Sequence, residues 1–310
     1  MLAIDDIEKR ILAEVADIHK TPTGAYNIRY NGEAQSRNST ENIEITSKED
    51  GTGIDIRIKD GTVNQSCCIP VVIAKTGLKD VVTNDFYVGE NCDVQIVAGC
   101  GIHNCGDQDS QHDGLHRFFI GKNSKVKYVE KHYGETDDGT KGGNIMNPVT
   151  EIYLDEGAFM EMESTQIKGI DSTNRITKAE IKKDAKLIVR ERLLTNGTQE
   201  AESRIDADLV GDNSSANIIS RSVATDKSKS TFYSHIVGKA SCSGHSECDA
   251  IIMDEAKVLA LPGLDALSPD AALIHEAAIG KIAGEQLIKL ETLGLSPEEA
   301  EAAIIDGFLK

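Results

Sequence analysis

Six similar nine-residue segments recur through the middle of this chain. Each begins with an apolar residue and two mostly polar residues, followed by a turn residue or acid, a small residue and then alternating side chains. They are VGENCDVQI (88–96), IGKNSKVKY (120–128), LDEGAFMEM (154–162), IKKDAKLIV (181–189), VGDNSSANI (210–218) and IMDEAKVLA (252–260). Successive segments begin 32, 34, 27, 29 and 42 residues apart, with further strand-like runs between them. The spacing predicts two strands per repeat.

A repeat of this length cannot bury its apolar face alone and must stack on its neighbours. The stacking can produce a sandwich of hairpins or a parallel β-solenoid. The recurring small position holds Cys92, Ser124, Ala158, Ala185, Ser214 and Ala256. Small residues there suit the tight inner corners of a solenoid, and Asn-Gly hairpin signals occur only at 31–32 and 196–197. The pattern favours the solenoid, and an irregular sandwich is the alternative.

Helical periodicity is confined to the two ends of the chain. Apolar residues recur at helical spacing near the start, at Ile4, Ile7, Ile11, Val15 and Ile18. Near the end, a second set predicts a helix that stops at Gly294, namely Ile279, Ile282, Leu287, Leu290 and Leu293. Ser296, Pro297 and Glu299 then form a helix-start signal. We expect an N-terminal helical segment (1–25), a β core (26–278) and a C-terminal helical hairpin (279–310).

The charge balance disfavours some partners. The formal net charge is −18 and no Lys/Arg-rich run offsets it, so the surface should repel a phosphate backbone. The N-terminus has no uninterrupted apolar stretch of the kind a signal peptide needs, and no window has the roughly 18 to 20 apolar residues of a spanning helix. We expect a cytoplasmic protein that contacts neither nucleic acid nor membrane.

The segment CSGHSECD (242–249) concentrates potential metal or sulfur ligands. Seven cysteines without an export signal favour reduced thiols over disulfides. Cys242, His245 and Cys248 fall at every third residue, and the strand is expected from Ala250, so a loop could wrap three ligands around one ion. The alternative is that Cys242 and His245 only line a turn, because no second Cys-x-x-Cys pair accompanies them.

A second group of soft and imidazole ligands lies at 100–116. It comprises Cys100, His103, Cys105, His112 and His116. The spacing fits no established metal motif, and we expect a polar loop or corner, with an entry point for iron or sulfur as the alternative. The adjacent Cys67 and Cys68 should point to opposite faces of a strand, one buried and one half-exposed.

The end of the chain carries a set of motifs that occur together in a known family. They are Cys248-Asp249, His275-Glu276-Ala277, Gly280-Lys281-Ile282, Glu285-Gln286-Leu287 and the stretch from Gly294-Leu295-Ser296 to Ala300. With these motifs the chain resembles the SufB/SufD family of iron-sulfur cluster assembly scaffold proteins, in its compact archaeal or anaerobe SufB-like form. The resemblance is dense over 240–310 and looser over the repeats.

The resemblance implies a right-handed parallel β-helix core and a non-enzymatic scaffold. It implies that a transient iron-sulfur cluster is built at a dimer interface, in a homodimer here. It also implies a SufC-type ABC ATPase docked on the C-terminal helices, a sulfur donor and apo-acceptor proteins.

By position, Cys248 and Glu276 match the family's cluster ligands, with His275 beside them and Cys242 and His245 as accessory candidates. Thiolate suits iron-sulfur clusters, whereas a carboxylate or imidazole binds more loosely and suits release. In a strand, His275 and Glu276 would point to opposite faces.

Two other functions remain open from the sequence. One is a SufD-like structural partner of the ATPase that holds no cluster itself. The other is a metal-dependent β-helix hydrolase or lyase that uses the group at 100–116. The enzyme is disfavoured because such clefts are usually rich in aromatics, whereas tryptophan is absent and aromatics are 4% of the residues.

Overall fold

A computed structural model describes residues 6–16, 24–137, 139–166 and 168–309. The described strands form two ten-stranded sheets, which we name sheet A and sheet B. Sheet A contains, in spatial order, β2 (Glu33–Asn38), β1 (Ala25–Tyr30), β5 (Val63–Ile73), β7 (Asp93–Asn104), β9 (Lys125–Thr136), β12 (Phe159–Gln166), β14 (Lys186–Thr195), β16 (Ser215–Ala224), β18 (Ser243–Ile252) and β20 (Ala272–Gly280). Sheet B contains β19 (Lys257–Ala266), β17 (Lys229–Gly238), β15 (Glu200–Leu209), β13 (Ser172–Ile181), β10 (Asn144–Met146) with β11 (Val149–Leu154), β8 (Ser110–Ile120), β6 (Lys79–Val88), β4 (Gly53–Ile58) and β3 (Ile43–Ser47).

From β4 onward the chain alternates between the two sheets, with β10 and β11 together forming one layer of sheet B, so it winds as a parallel β-solenoid of about 8 turns. Each coil contributes one strand to each sheet, which confirms two strands per repeat. Antiparallel pairing among the described strands is limited to the hairpins β1–β2 and β3–β4 at the N-terminal end. The sandwich alternative is therefore wrong. The Asn-Gly pair at 196–197 lies at a solenoid corner, because β14 and β15 belong to different sheets.

The small residues of the repeat occupy buried corners, as predicted. Cys92, Ser124, Ala158, Ala185 and Ser214 are each buried immediately before a strand of sheet A. The residue before each of them has positive φ and is Asn, Asp or Gly, which tolerate that conformation best. The sixth segment is the exception, because Ala256 precedes β19 of sheet B. Its true counterpart in sheet A is Cys242, before β18.

The core fills the space between the sheets. Because side chains alternate along a strand, every second residue points inward, as the burial of β14 and β18 shows. Isoleucine, valine and leucine dominate this interior. Burying them supplies the main favourable free energy of folding, roughly 1.5 to 3 kcal/mol per fully buried side chain.

The N-terminal helix α1 (Asp6–Ala16) covers the outer face of sheet A. Ile11 and Val15 are buried there, as predicted, whereas Ile4 and Ile18 lie outside the described residues. The approach is close: a Cβ on Gly99 would lie 2.4 Å from the carbonyl oxygen of Val15. A glycine on this strand therefore allows the helix to reach the sheet.

Two helices, α2 (Gly284–Thr292) and α3 (Pro297–Leu309), end the described chain. The first is shorter than predicted, because Ile279 pairs with Ala250 in sheet A and Ile282 lies before the helix. The predicted capping box is present: the Ser296 hydroxyl accepts from the Glu299 amide, and the Glu299 carboxylate accepts from the Ser296 amide. Such a cap stabilises a helix by about 1 kcal/mol. Among the described helices, none has the length and apolar character needed to cross a bilayer.

Candidate functional site

Cys248 lies on the inner face of β18, one coil before the C-terminal end of the solenoid. It pairs with Ser220 on one side and Ala277 on the other, and it is 1% exposed. Burial, together with the negative charges of Glu191 and Asp249, raises the pKa of the Cys248 thiol to about 12. The free thiol is therefore protonated at neutral pH, and metal binding would have to release its proton.

A column of polar residues leads through the interior of sheet A to this thiol. Glu130, Ser164, Glu191, Ser220 and Cys248 are register neighbours on consecutive strands, and all are buried. Buried polar groups are costly unless they are hydrogen-bonded. Sequence reasoning missed this column. The available signal was Glu191, an acid at an inward position of β14 between two apolar inward residues.

Ion pairing and hydrogen bonds stabilise the two acids of the column. Arg175, from sheet B, lies between them: its guanidinium hydrogen-bonds Glu130 and lies 3.4 Å from the Glu191 carboxylate. Glu191 also accepts hydrogen bonds from Ser203 (2.6 Å) and Ser220 (3.0 Å). Burial opposes the ionisation of Glu130, but His132 and Arg175 hold the pKa of its carboxyl well below its usual range. The interior near Cys248 is therefore polar and charged.

The last strand places His275 and Glu276 on opposite faces, as predicted. Glu276 pairs with Glu247, and its carboxylate is 69% exposed on the outer surface. Cys248 faces inward, so one chain does not bring the thiol and the Glu276 carboxylate together on one face. The nearest imidazole to that carboxylate is His245, with 3.9 Å between Nε2 and Oε2.

His275 faces the interior, on the same side of the sheet as Cys248. It pairs with Ser246, whose hydroxyl is hydrogen-bonded to that of Ser234. The Nδ1 atom of His275 is buried and finds no hydrogen-bond partner among the described residues. Such an atom can be satisfied by an ion or water that binds there. Within one chain, His275 therefore faces the same interior as Cys248, from the neighbouring strand and two residues away in register.

The loop expected around Cys242, His245 and Cys248 does not exist. Strand β18 begins at Ser243, not at Ala250, so His245 and Cys248 both lie within it and face opposite sides. Cys242 is buried at the corner before the strand. Six residues of extended chain span about 20 Å, so Cys242 and Cys248 of one chain cannot bind the same ion. The prediction of one ion wrapped by these three side chains is wrong.

The side chains of the second predicted group, at 100–116, do not lie together: some face the interior of the solenoid and the others face its outer surface. Cys100, His112 and His116 face the interior and line a cavity of about 20 Å³, with Glu130 and His132. That volume has room for one water molecule. His112 is hydrogen-bonded to Asp80, and burial lowers the pKa of His116 to about 4. This inner half is a satisfied polar core with no room for an organic substrate.

His103 and Cys105 lie on the other side, at the end of β7. Their nearest neighbours are Glu135 and Asp137, at the end of the adjacent strand β9. The prediction for Cys67 and Cys68 is confirmed: Cys67 is buried and Cys68 is half-buried.

Comparison with known proteins decides which family this architecture represents. The family described as SUF system FeS cluster assembly, SufBD core domain, matches residues 84–308. The chain belongs to the SufBD family. The SufBD match runs from β6 to α3, so it includes Cys248, His275 and Glu276.

Curated relatives agree with this assignment. The chain is similar to an iron-sulfur cluster assembly SufBD family protein of Archaeoglobus fulgidus, with 30% identity over 276 residues, 88% of this chain and 72% of the relative. It is similar to one of Methanocaldococcus jannaschii, with 28% identity over 76% of this chain and 74% of the relative. It is also similar to one of Pyrococcus horikoshii, with 28% identity over 88% and 82%. The family predicted from the C-terminal motifs is confirmed.

Proposed function

We propose that this SufBD protein is a scaffold on which an iron-sulfur cluster is assembled before transfer to an acceptor protein. The observation that carries the proposal is the buried Cys248 thiol at the end of the polar column, with the unpartnered His275 imidazole on the same inner face. The cluster is cargo, held transiently. The protein needs no catalytic turnover of its own, and ATP hydrolysis belongs to a partner.

The ligand chemistry suits a loosely held cluster. Cys248 supplies a thiolate when iron displaces its proton, and iron-sulfur clusters prefer thiolate ligands. His275 supplies an imidazole from the inner face of the next strand. A mixed shell of this kind releases its cargo more readily than four thiolates would. Glu276 is the proposed carboxylate ligand, but it must come from a second chain because its own Cys248 faces the other way.

A second copy fits the C-terminal end of the solenoid. Among the described strands, β19 and β20 each pair on one side only, leaving open backbone edges in both sheets. The N-terminal edge strands β2 and β3 also pair on one side only, but they are short and their exposed side chains are mostly polar, which protects an edge. The last coil also carries Leu261 and Ile274, which are 42% and 56% exposed. Unprotected edges with apolar side chains are templates for pairing with another chain. We propose a homodimer that forms at these edges and places the last coils of the two chains, which carry His275 and Glu276, against each other.

The C-terminal helices are the proposed docking site for a SufC-type ABC ATPase. Helix α2 buries none of its residues, and Ile288 on it and Leu293 after it are strongly exposed. Helix α3 is joined to the solenoid, where Arg221 donates a hydrogen bond to the carbonyl of Phe308. Movement of the ATPase could thus reach β16, next to the strand that carries Cys248. A sulfur donor and apo-acceptors complete the proposed set of partners.

Cluster transfer tests the function. Protein reconstituted without oxygen from ferrous iron and sulfide should convert an apo-ferredoxin to its holo form faster than free iron and sulfide do, followed by the ferredoxin spectrum. Protein that binds no iron or sulfide as a dimer would contradict the scaffold proposal and support the SufD-like structural partner. Zinc in place of iron with sulfide, together with hydrolytic activity, would support the enzyme alternative.

A further inference from the structure

The ends of β7 and β9 bring together a group of side chains that the cluster proposal does not use. The two strands are parallel neighbours, and His103 pairs with Glu135. Side chains two residues apart in an extended chain lie on the same face, so Cys105 follows His103 and Asp137 follows Glu135 on the outer surface. Four potential ligands thus meet at one corner of the solenoid.

Three of them already lie at nearly the separation that ligands of one metal ion have. One ligand atom from each of His103, Cys105 and Asp137 lies within 4.8 Å of the other two. His103 Nε2 and the Asp137 carboxylate are 3.5 Å apart. The imidazole is buried, whereas Cys105 and Asp137 are exposed, so the group is fixed on one side and open to solvent on the other. An ion could enter without opening the fold.

The fourth side chain, Glu135, orients the imidazole. Its carboxylate lies 2.9 Å from His103 Nδ1 and accepts a hydrogen bond from that nitrogen. Glu135 is itself fixed by Arg10 of α1 (2.6 Å) and by the Tyr133 hydroxyl (3.0 Å). With the proton on Nδ1, the lone pair of Nε2 points toward Cys105 and Asp137. A carboxylate that orients a histidine in this way is a regular feature behind metal-binding histidines.

We propose that His103, Cys105 and Asp137 bind one divalent transition-metal ion of the iron-to-zinc series. Nitrogen, sulfur and carboxylate oxygen are the ligands these ions take, whereas calcium and magnesium take oxygen ligands. Three protein ligands leave at least one coordination position open, which allows the ion to exchange. Five strand spacings separate β7 from β18, about 24 Å, so this site is distinct from the one around Cys248.

The proposed metal site does not depend on the cluster function. Its test therefore uses a protein that lacks the Cys248 thiol. The full-length Cys248→Ser protein, kept reduced and without oxygen, is titrated with Co²⁺, which reports coordination by its visible absorption. We expect one Co²⁺ per chain, with tetrahedral ligand-field bands and a thiolate-to-cobalt charge-transfer band. Zn²⁺ and Fe²⁺ should each displace Co²⁺, and Zn²⁺ should do so at the lower concentration.

Variants separate the proposed ligands from their surroundings. Cys105→Ser should abolish the charge-transfer band, and Asp137→Asn should weaken Co²⁺ binding by at least about tenfold, the lower end of the effect of losing an outer-shell partner. Glu135→Gln, which acts through the imidazole, should weaken it about 10- to 100-fold while keeping the thiolate band. The matched control is Asp107→Asn, an exposed acid in the same loop, which should leave Co²⁺ binding unchanged.

Two results would overturn the site. The first is a folded protein that shows no thiolate-to-cobalt band, which would leave the His103, Glu135 and Arg10 contacts as a purely structural link between α1 and β9. The second is a band that survives Cys105→Ser unchanged, which would assign it to another thiol.

Discussion

At the scale of single residues, the direction of a side chain decides what it can do. The cysteine at 248 and the histidine at 275 could be selected from the sequence because they belong to recognisable motifs. The faces to which they point could not be predicted, because the Ser- and Gly-rich segment 242–249 has the composition of a loop. In a solenoid, neighbouring coils supply the backbone hydrogen bonds, so a segment of poor strand propensity is still held as a strand.

The charge of Glu191 should control the reactivity of Cys248. Burial is the largest cause of the raised pKa of Cys248, and the negative charge of Glu191 adds to it, so Glu191→Gln should lower that pKa. Each unit by which the pKa falls increases the thiolate population about tenfold, as long as the pH stays below the pKa. Alkylation of Cys248 by iodoacetamide, followed by peptide mass spectrometry from pH 7 to 9, should therefore be faster in the variant at every pH.

An internal control separates this effect from a loosened fold. Cys67 is equally buried, near the other end of the solenoid. Unchanged labelling of Cys67 with faster labelling of Cys248 is the expected pattern. Equal acceleration at both thiols would show general opening of the structure, and would contradict a direct effect of the Glu191 charge.

At the scale of elements, the two ends of the solenoid are treated differently. Short hairpin strands, β2 and β3, form the N-terminal edges, whereas the longer strands β19 and β20 form the C-terminal edges. The repeats predicted the coils but not the sheet to which each strand belongs. The segment at 252–260 leads into a strand of sheet B, whereas the other five lead into strands of sheet A. Short segments specify a turn and a strand, and the sheet to which that strand belongs depends on how many corners precede it. Ile279 has the spacing of a helix residue, but strand pairing with Ala250 overrides that local pattern.

The open edges should make the protein a dimer. Light scattering after size-exclusion chromatography should give the mass of two 33.5 kDa chains. Leu261→Lys with Ile274→Lys should convert it to a monomer, because charges on an edge strand oppose pairing. Added lysines reduce the net charge of −18, so general repulsion would not explain the loss of the dimer.

The control is Val81→Lys, which changes a residue that is 62% exposed on a distant coil and should leave the dimer intact. A wild-type monomer, or a double variant that stays dimeric, would contradict the proposed interface.

At the scale of the whole molecule, the solenoid architecture and the family were predictable, and the interior was not. Spacing of small corner residues was enough to favour stacked coils over a sandwich. The polar column from Glu130 to Cys248 arises from the register between coils, which no single repeat encodes. Arg175 joins the two acids of that column from the opposite sheet. The division into segments 1–25, 26–278 and 279–310 stays a prediction.

Reconstitution of matched variants tests most directly whether Cys248 holds the nascent cluster. Wild-type protein, Cys248→Ser and Cys68→Ser are incubated with ferrous iron and sulfide without oxygen, desalted, and assayed for iron, acid-labile sulfide and visible charge-transfer absorption. If Cys248 is the ligand, Cys68→Ser should hold as much iron and as much sulfide as the wild type, whereas Cys248→Ser should lose both, together with the absorption. A cluster that forms undiminished in Cys248→Ser would contradict this assignment.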